Sequence, residues 1–256
     1  MRHATALLIT CLLLGSLGLA AGAQTTGIED QPDKLVLRNE RLTMALGKAE
    51  KGAIISLVDT ATGRELLASQ ASPRLFALTF SDRADAARKQ FTVSSAEAGS
   101  FASEVLTEGQ RSVAVLRFGE IAGRGVEALA TASVARGDRY VRWWLSVRVP
   151  EGLVLERVDF PLTVLRAPLM DGAVGEAAVA GATKGGVHLR PSQWKPGAGV
   201  WYGLPGNLAA QFACYYDGTG GFLTACEDSR GYPKTIGLRR GPEGLEVNWT
   251  RPCFTS

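Results

Sequence analysis

Trp194, Trp201 and Tyr202 stand close together in the chain, with Arg190, Gln193 and Lys195 beside them. Flat aromatic faces stack on the apolar faces of sugar rings, and amide or cationic neighbours can bond hydroxyls. Trp194, Trp201, Tyr202 and Gln193 are therefore candidate carbohydrate-binding residues; the competing reading is that the rings plug the open end of a β-sandwich. A second set lies in YYDGTGGFLTACEDSRGYPK, residues 215–234, where Asp217, Glu227 and Asp228 cluster around two Gly-containing turns. Carboxylate oxygens ligate hard cations and accept hydrogen bonds from sugar hydroxyls, so Asp228 joins the carbohydrate candidates and calcium is the one cofactor the pattern suggests. A solvated strand end is the plainer alternative.

Glycoside hydrolysis needs two carboxyls about 5–9.5 Å apart around one sugar. Glu227 and Asp228 cannot be that pair, because adjacent residues of a strand point to opposite faces. Asp171, Glu176 and Asp217 add carboxyls, but no spacing selects a partner, and no catalytic residue is assigned. Of the two histidines, His3 and His188, only His188 lies outside the amino-terminal apolar run. A histidine-rich metal centre is thereby excluded, and no metal ligands are assigned. A lone histidine can act as a general acid, although in a Gly-rich loop it reads first as an exposed side chain. Asn248-Trp249-Thr250 is a glycosylation acceptor triplet, which matters only in a host that uses it.

The first half of the 215–234 stretch is a hairpin. With a five-residue loop at 218–222, Cys214 and Cys226 stand opposite one another. Opposed antiparallel residues approach to about 4.5–5.5 Å at Cα, within reach of a disulfide. Two packed thiols are the alternative, and a one-residue slip decides between them. Cys253 is then the odd cysteine.

The elements that must position these residues are strands. In YVRWWLSVRV, residues 140–149, Val141, Trp143, Leu145, Val147 and Val149 alternate with polar or amphipathic positions. That period of two predicts a strand with one buried face. PEG then turns the chain, and LVLERVDFPL returns as the next strand. Similar runs occur at 35–39, 42–46, 54–59, 75–81, 112–121, 128–135, 211–216, 222–227, 234–238 and 245–249, with Gly- or Asp-bearing turns between them. This is an all-β pattern, a large antiparallel two-layer sandwich. Two segments break it. Residues 84–104 read as a polar, mobile excursion. Residues 167–206 read as a long loop without regular structure, which in a compact domain calls for a functional reason.

The amino terminus is of another kind. Met1-Arg2-His3, an apolar run from Ala4 to Leu14 and small residues ending Ala21-Gly22-Ala23 have the form of a secretory signal peptide cleaved after Ala23. The chain divides into leader 1–23, linker 24–33 and domain 34–256, exported to the periplasm or beyond. No later run is apolar enough to span a membrane. A formal net charge of +3, without long runs of one sign, argues against a nucleic-acid partner.

GAIISLVDTATGRELL, residues 52–67, and YGLPGNLAAQFACYYDGTGGFLTACEDSRGYPK, residues 202–234, carry a resemblance. The chain resembles the N-terminal β-supersandwich domains, galactose-mutarotase-like in fold, that precede a TIM barrel in bacterial glycoside-hydrolase-like proteins. The landmarks are the strand into "SL-D--TG-ELL", the PG turn, the YD--GG hairpin, the acidic strand end and the GYPK turn, spanning about residues 34–249. Where relatives often place a histidine before the strand-end aspartate, this chain has Glu227. The resemblance implies a non-catalytic, carbohydrate-associated domain, with nucleophile and acid/base on a barrel that would follow it. It implies carbohydrate and that barrel as partners, in a chain truncated before the barrel. The alternatives are a stand-alone carbohydrate-binding module and an aldose-epimerase-like enzyme.

Overall fold

The computed structural model describes residues 3–4, 9–15, 26–68, 73–169 and 174–253. The cleavage position after Ala23 and the candidate Asp171 lie outside them. Among the described residues every strand pairing is antiparallel, and the helical elements are the single turns Ser95–Glu97 and Pro191–Gln193. The protein is an all-β sandwich.

A ten-stranded sheet runs through Ser100–Glu108, Arg111–Ile121, Val126–Ala135, Tyr140–Arg148, Ile9–Gly15, Gly220–Cys226, Leu208–Tyr216, Ala177–Ala182 and Val187–Leu189, with His3–Ala4 beside Tyr140–Arg148. A seven-stranded sheet runs through Gly199–Leu204, Lys234–Arg240, Leu245–Pro252, Leu153–Asp159, Ala77–Asp82 and Gln90–Ser94, with Thr163–Leu165 also on Leu245–Pro252. The two larger sheets share one core. Trp143 meets Phe160 edge-on at 5.8 Å between ring centroids, Phe76 meets Phe118 at 4.9 Å, and Trp249 Nε1 donates to Thr224 Oγ1 at 3.0 Å. A five-stranded sheet, Gly27–Asp30 to Arg64–Glu65, joins them, laced to the seven-stranded sheet by the Leu67–Leu165 bridge.

The alternation at 140–149 produces its strand. Val141, Trp143, Leu145 and Val147 are buried, whereas Val149 lies past the strand's last residue, Arg148, and is only partly covered. Three expectations are corrected. Residues 84–104 contain Gln90–Ser94 and the start of Ser100–Glu108, and residues 167–206 contain Ala177–Ala182, Val187–Leu189 and Gly199–Leu204. The stretch read as a linker holds Gly27–Asp30, which pairs with Lys34–Arg38.

The hairpin register is a further correction. Asp217 Oδ1 accepts from the amides of Thr219 and Gly220 and from the Thr219 hydroxyl, while Asp217 N donates to Gly220 O. This side-chain-capped turn shortens the loop to Gly218-Thr219. Cys214 therefore stands opposite Leu223, not Cys226, and both thiols are free and buried. Burial raises both pKa values, that of Cys226 to about 12.

Candidate functional site: the cleft under Trp201

Successive side chains of a strand point to opposite faces, and in Gly199–Leu204 this separates two neighbouring aromatics. Tyr202 is buried between the sheets, whereas Trp201 is 56% exposed on the outside. Its strand partner is Gly237, and a methyl group there would sit 3.0 Å from Trp201 Nε1. At Gly199 it would sit 3.0 Å from the far edge of the same ring. The indole thus lies against bare backbone, and its exposed side is a platform.

Trp201 lines a cleft of about 1240 Å³ between the seven-stranded sheet and the 50–68 edge of the five-stranded sheet. Leu245–Pro252 supplies part of the lining. Leu245, Val247 and Trp249 face the core, and the intervening Glu246, Asn248 and Thr250 are half-buried and line the cleft. Asp159, opposite Thr250, is the centre of a polar network. Its Oδ1 accepts from Asn248 Nδ2 at 3.2 Å and from the Thr250 hydroxyl, and its Oδ2 accepts from Arg157 Nε at 3.0 Å. Arg239 and Glu246 form a further pair at 3.7 Å. The result is one exposed aromatic face beside an amide, a hydroxyl, a carboxylate and a guanidinium. Such a surface can stack on a ring and exchange hydrogen bonds with its hydroxyls.

The other sequence-derived candidates are elsewhere. Trp194 is packed against the core and meets His188 edge-on at 5.8 Å; His188 Nε2 is hydrogen-bonded to the Tyr202 hydroxyl. Burial raises the Tyr202 pKa. Gln193 is exposed on the turn before Trp194. That turn is tied down by Glu176, a buried carboxylate that accepts from Ser192 N at 2.8 Å and from the hydroxyls of Ser192 and Tyr215.

Asp228 caps its own turn, accepting from Arg230 N and Tyr232 N at 2.9 Å, and pairs with the buried Lys234 ammonium at 2.6 Å. Lys234 also donates to Gln211 Oε1 at 3.0 Å. Burial alone would raise the Asp228 pKa, but the Lys234 contact and the two amides hold it below the usual value. Asp217, Glu227 and Asp228 do not converge: the first closes the hairpin, and Glu227 lies 3.9 Å from Arg142. Among the described residues no group of three or more His, Cys, Asp or Glu is placed to hold a metal. The structure thus brings Trp201 together with Asp159, Asn248, Thr250 and Arg157, none of which the sequence singled out as a binding residue. The signal was present in LEVNWT, whose polar positions alternate with its apolar ones.

No protein-family model matches the chain, and no curated protein does. Solved structures do. The alpha-N-acetylgalactosaminidase NagBb from Bifidobacterium bifidum, in its GalNAc complex, matches with a TM-score of 0.56 at 13% identity over 88% of this chain. Its Gal-NHAc-DNJ complex matches with a TM-score of 0.54 at 14% identity over the same share. The chain spans about a third of those chains, 33% in each. The likeness is one of fold, to part of a glycosidase chain.

Proposed function

We propose that this chain is a carbohydrate-associated, non-catalytic domain of a secreted glycoside-hydrolase-like protein, and that the cleft under Trp201 is its sugar-binding surface. The observation that carries the reading is Trp201 itself. A large indole, lying against glycine backbone and open to solvent beside Asn248 and the Asp159 network, has no packing role that accounts for it. The fold supports the association with glycosidases. The share of the relative left unmatched supports a further domain, which we take to be a catalytic TIM barrel. The form of the first 23 residues supports export.

Covering one aromatic face contributes about 1–2 kcal/mol by apolar-area reasoning. With a few hydrogen bonds the total is near −4 kcal/mol, or about millimolar affinity. An aldose-epimerase reading needs a histidine and a carboxylate facing one ring. Here Asp159 lines the cleft, while His188 is bonded to Tyr202 on the other side of the Gly199–Leu204 strand.

The test is ligand-observed NMR on the full chain with mono- and oligosaccharides, headed by N-acetylgalactosamine because the NagBb complex contains it. Millimolar binding that is lost in Trp201→Ala and kept in Trp194→Ala is the expected result. Absence of any sugar response at high concentration, or binding indifferent to Trp201, would refute the reading.

A further inference from the structure

Tyr140–Arg148 and Gly220–Cys226 are neighbours in the ten-stranded sheet only through a third strand. Ile9–Gly15 pairs with both: residues 9–12 oppose 143–140, and residues 9–15 oppose 226–220. With ladder spacings of about 4.8 Å, the two flanks stand roughly 9–10 Å apart, one strand too wide to bond each other. Each flank is fastened to a different neighbouring part of the fold. Asn39, fully buried beside the five-stranded sheet, donates Nδ2 to Tyr140 O at 3.2 Å. Trp249 of the seven-stranded sheet donates to Thr224 at 3.0 Å. Closing the gap would pull one or both of these contacts apart.

The inserted segment, ITCLLLG, is continuously apolar apart from Thr10. That composition suits a strand inside a sheet better than an edge strand, which needs polar positions. We propose that the gap is a strand-acceptor site whose ligand is an extended apolar segment of seven residues, supplied in this chain by Ile9–Gly15. The amino-terminal run then has two roles, as export signal and as strand. Removal of residues 1–23 vacates a site able to take up a similar segment by β-strand addition, in which main-chain hydrogen bonds give the affinity.

The register supplies the test. Cys11 is the register partner of both Val141 and Thr224, and directly opposed antiparallel residues approach to about 4.5–5.5 Å at Cα, within reach of a disulfide. In the full chain, made without export and then oxidised, Val141→Cys forms a disulfide with Cys11, detected by peptide mass spectrometry. Tyr140→Cys, one residue out of register, forms none. In parallel, Leu12→Pro removes an N–H from the middle of the inserted strand, and Leu12→Thr retains it. Amide exchange at 140–143 and 220–226 rises at least tenfold in Leu12→Pro and not in Leu12→Thr. Added ITCLLLG peptide restores protection. Failure of the Val141→Cys cross-link overturns the proposal. So does wild-type protection in a folded Leu12→Pro chain, since the flanks would then pair directly. If Leu12→Pro unfolds throughout, exchange also rises at 112–116, and the cross-link alone decides.

Discussion

The strand pair Gly199–Leu204 and Lys234–Arg240 has two faces that differ in how they use polar groups. On the inner face Tyr202 bonds His188, and the buried Lys234 ammonium bonds Asp228 and Gln211. Each group there is committed to another part of the fold. On the outer face Trp201 lies over Gly237, and the Asp159 network is reached through an open cleft. Adjacent residues, Trp201 and Tyr202, therefore have different fates for no reason but strand periodicity. Aromatic richness in a segment does not locate a binding site; the face does.

On that contrast, inner-face substitutions act on stability and outer-face substitutions act on binding. Lys234→Ala strands Asp228 and should cost roughly 3 kcal/mol of unfolding free energy in urea titration, as breaking one partner of a buried ion pair does. Glu176→Ala leaves the buried Tyr215 hydroxyl and the Ser192 amide without their acceptor. It should cost about 2 kcal/mol, with sugar binding retained. Tyr202→Phe removes one hydroxyl and should cost about 1 kcal/mol.

Trp201→Ala should change stability by no more than about 0.5 kcal/mol, as exposed positions do, while abolishing the NMR signal of bound sugar. Gly237→Ala sharpens the comparison, because its methyl group would press on the indole at 3.0 Å and on Asn248 Oδ1 at 3.2 Å, shifting the platform and weakening binding at near-constant stability. A sugar affinity untouched by Gly237→Ala but lost in Tyr202→Phe would invert the assignment of faces.

Acid provides a further check. The Asp228 carboxyl is held below its ordinary value of 3.8. Its contribution is complete above that value and is lost as pH falls through the depressed native value. Asp228→Asn should therefore flatten the acid limb of a stability–pH curve. An unchanged limb would place the ion pair's role elsewhere.

The strands that sequence located well are those with one apolar face. Tyr140–Arg148 and Leu245–Pro252 alternate large apolar with polar residues, and their inward residues are the buried ones. Ala177–Ala182, AAVAGA, escaped because small residues let it pack without any alternation. Ser100–Glu108 escaped because an edge strand of the ten-stranded sheet has little apolar contrast to display. The disulfide expectation depended on register, and register here depends on one aspartate capping a two-residue loop. Of the binding candidates only Trp201 reaches the cleft. Asp159 and Asn248 meet across strands far apart in the chain, and local pattern carries no information about that meeting.

Asn248 also bears on how the protein should be made. In a host that glycosylates secreted chains, Asn248-Trp249-Thr250 is presented before Leu245–Pro252 has found its neighbours. A glycan attached there would occupy the cleft and remove an amide hydrogen that Asp159 uses. Material from such a source would carry its own sugar where an added one is meant to bind, and a negative titration would be an artefact of manufacture. Bacterial expression avoids the problem without altering Thr250, whose hydroxyl belongs to the same network.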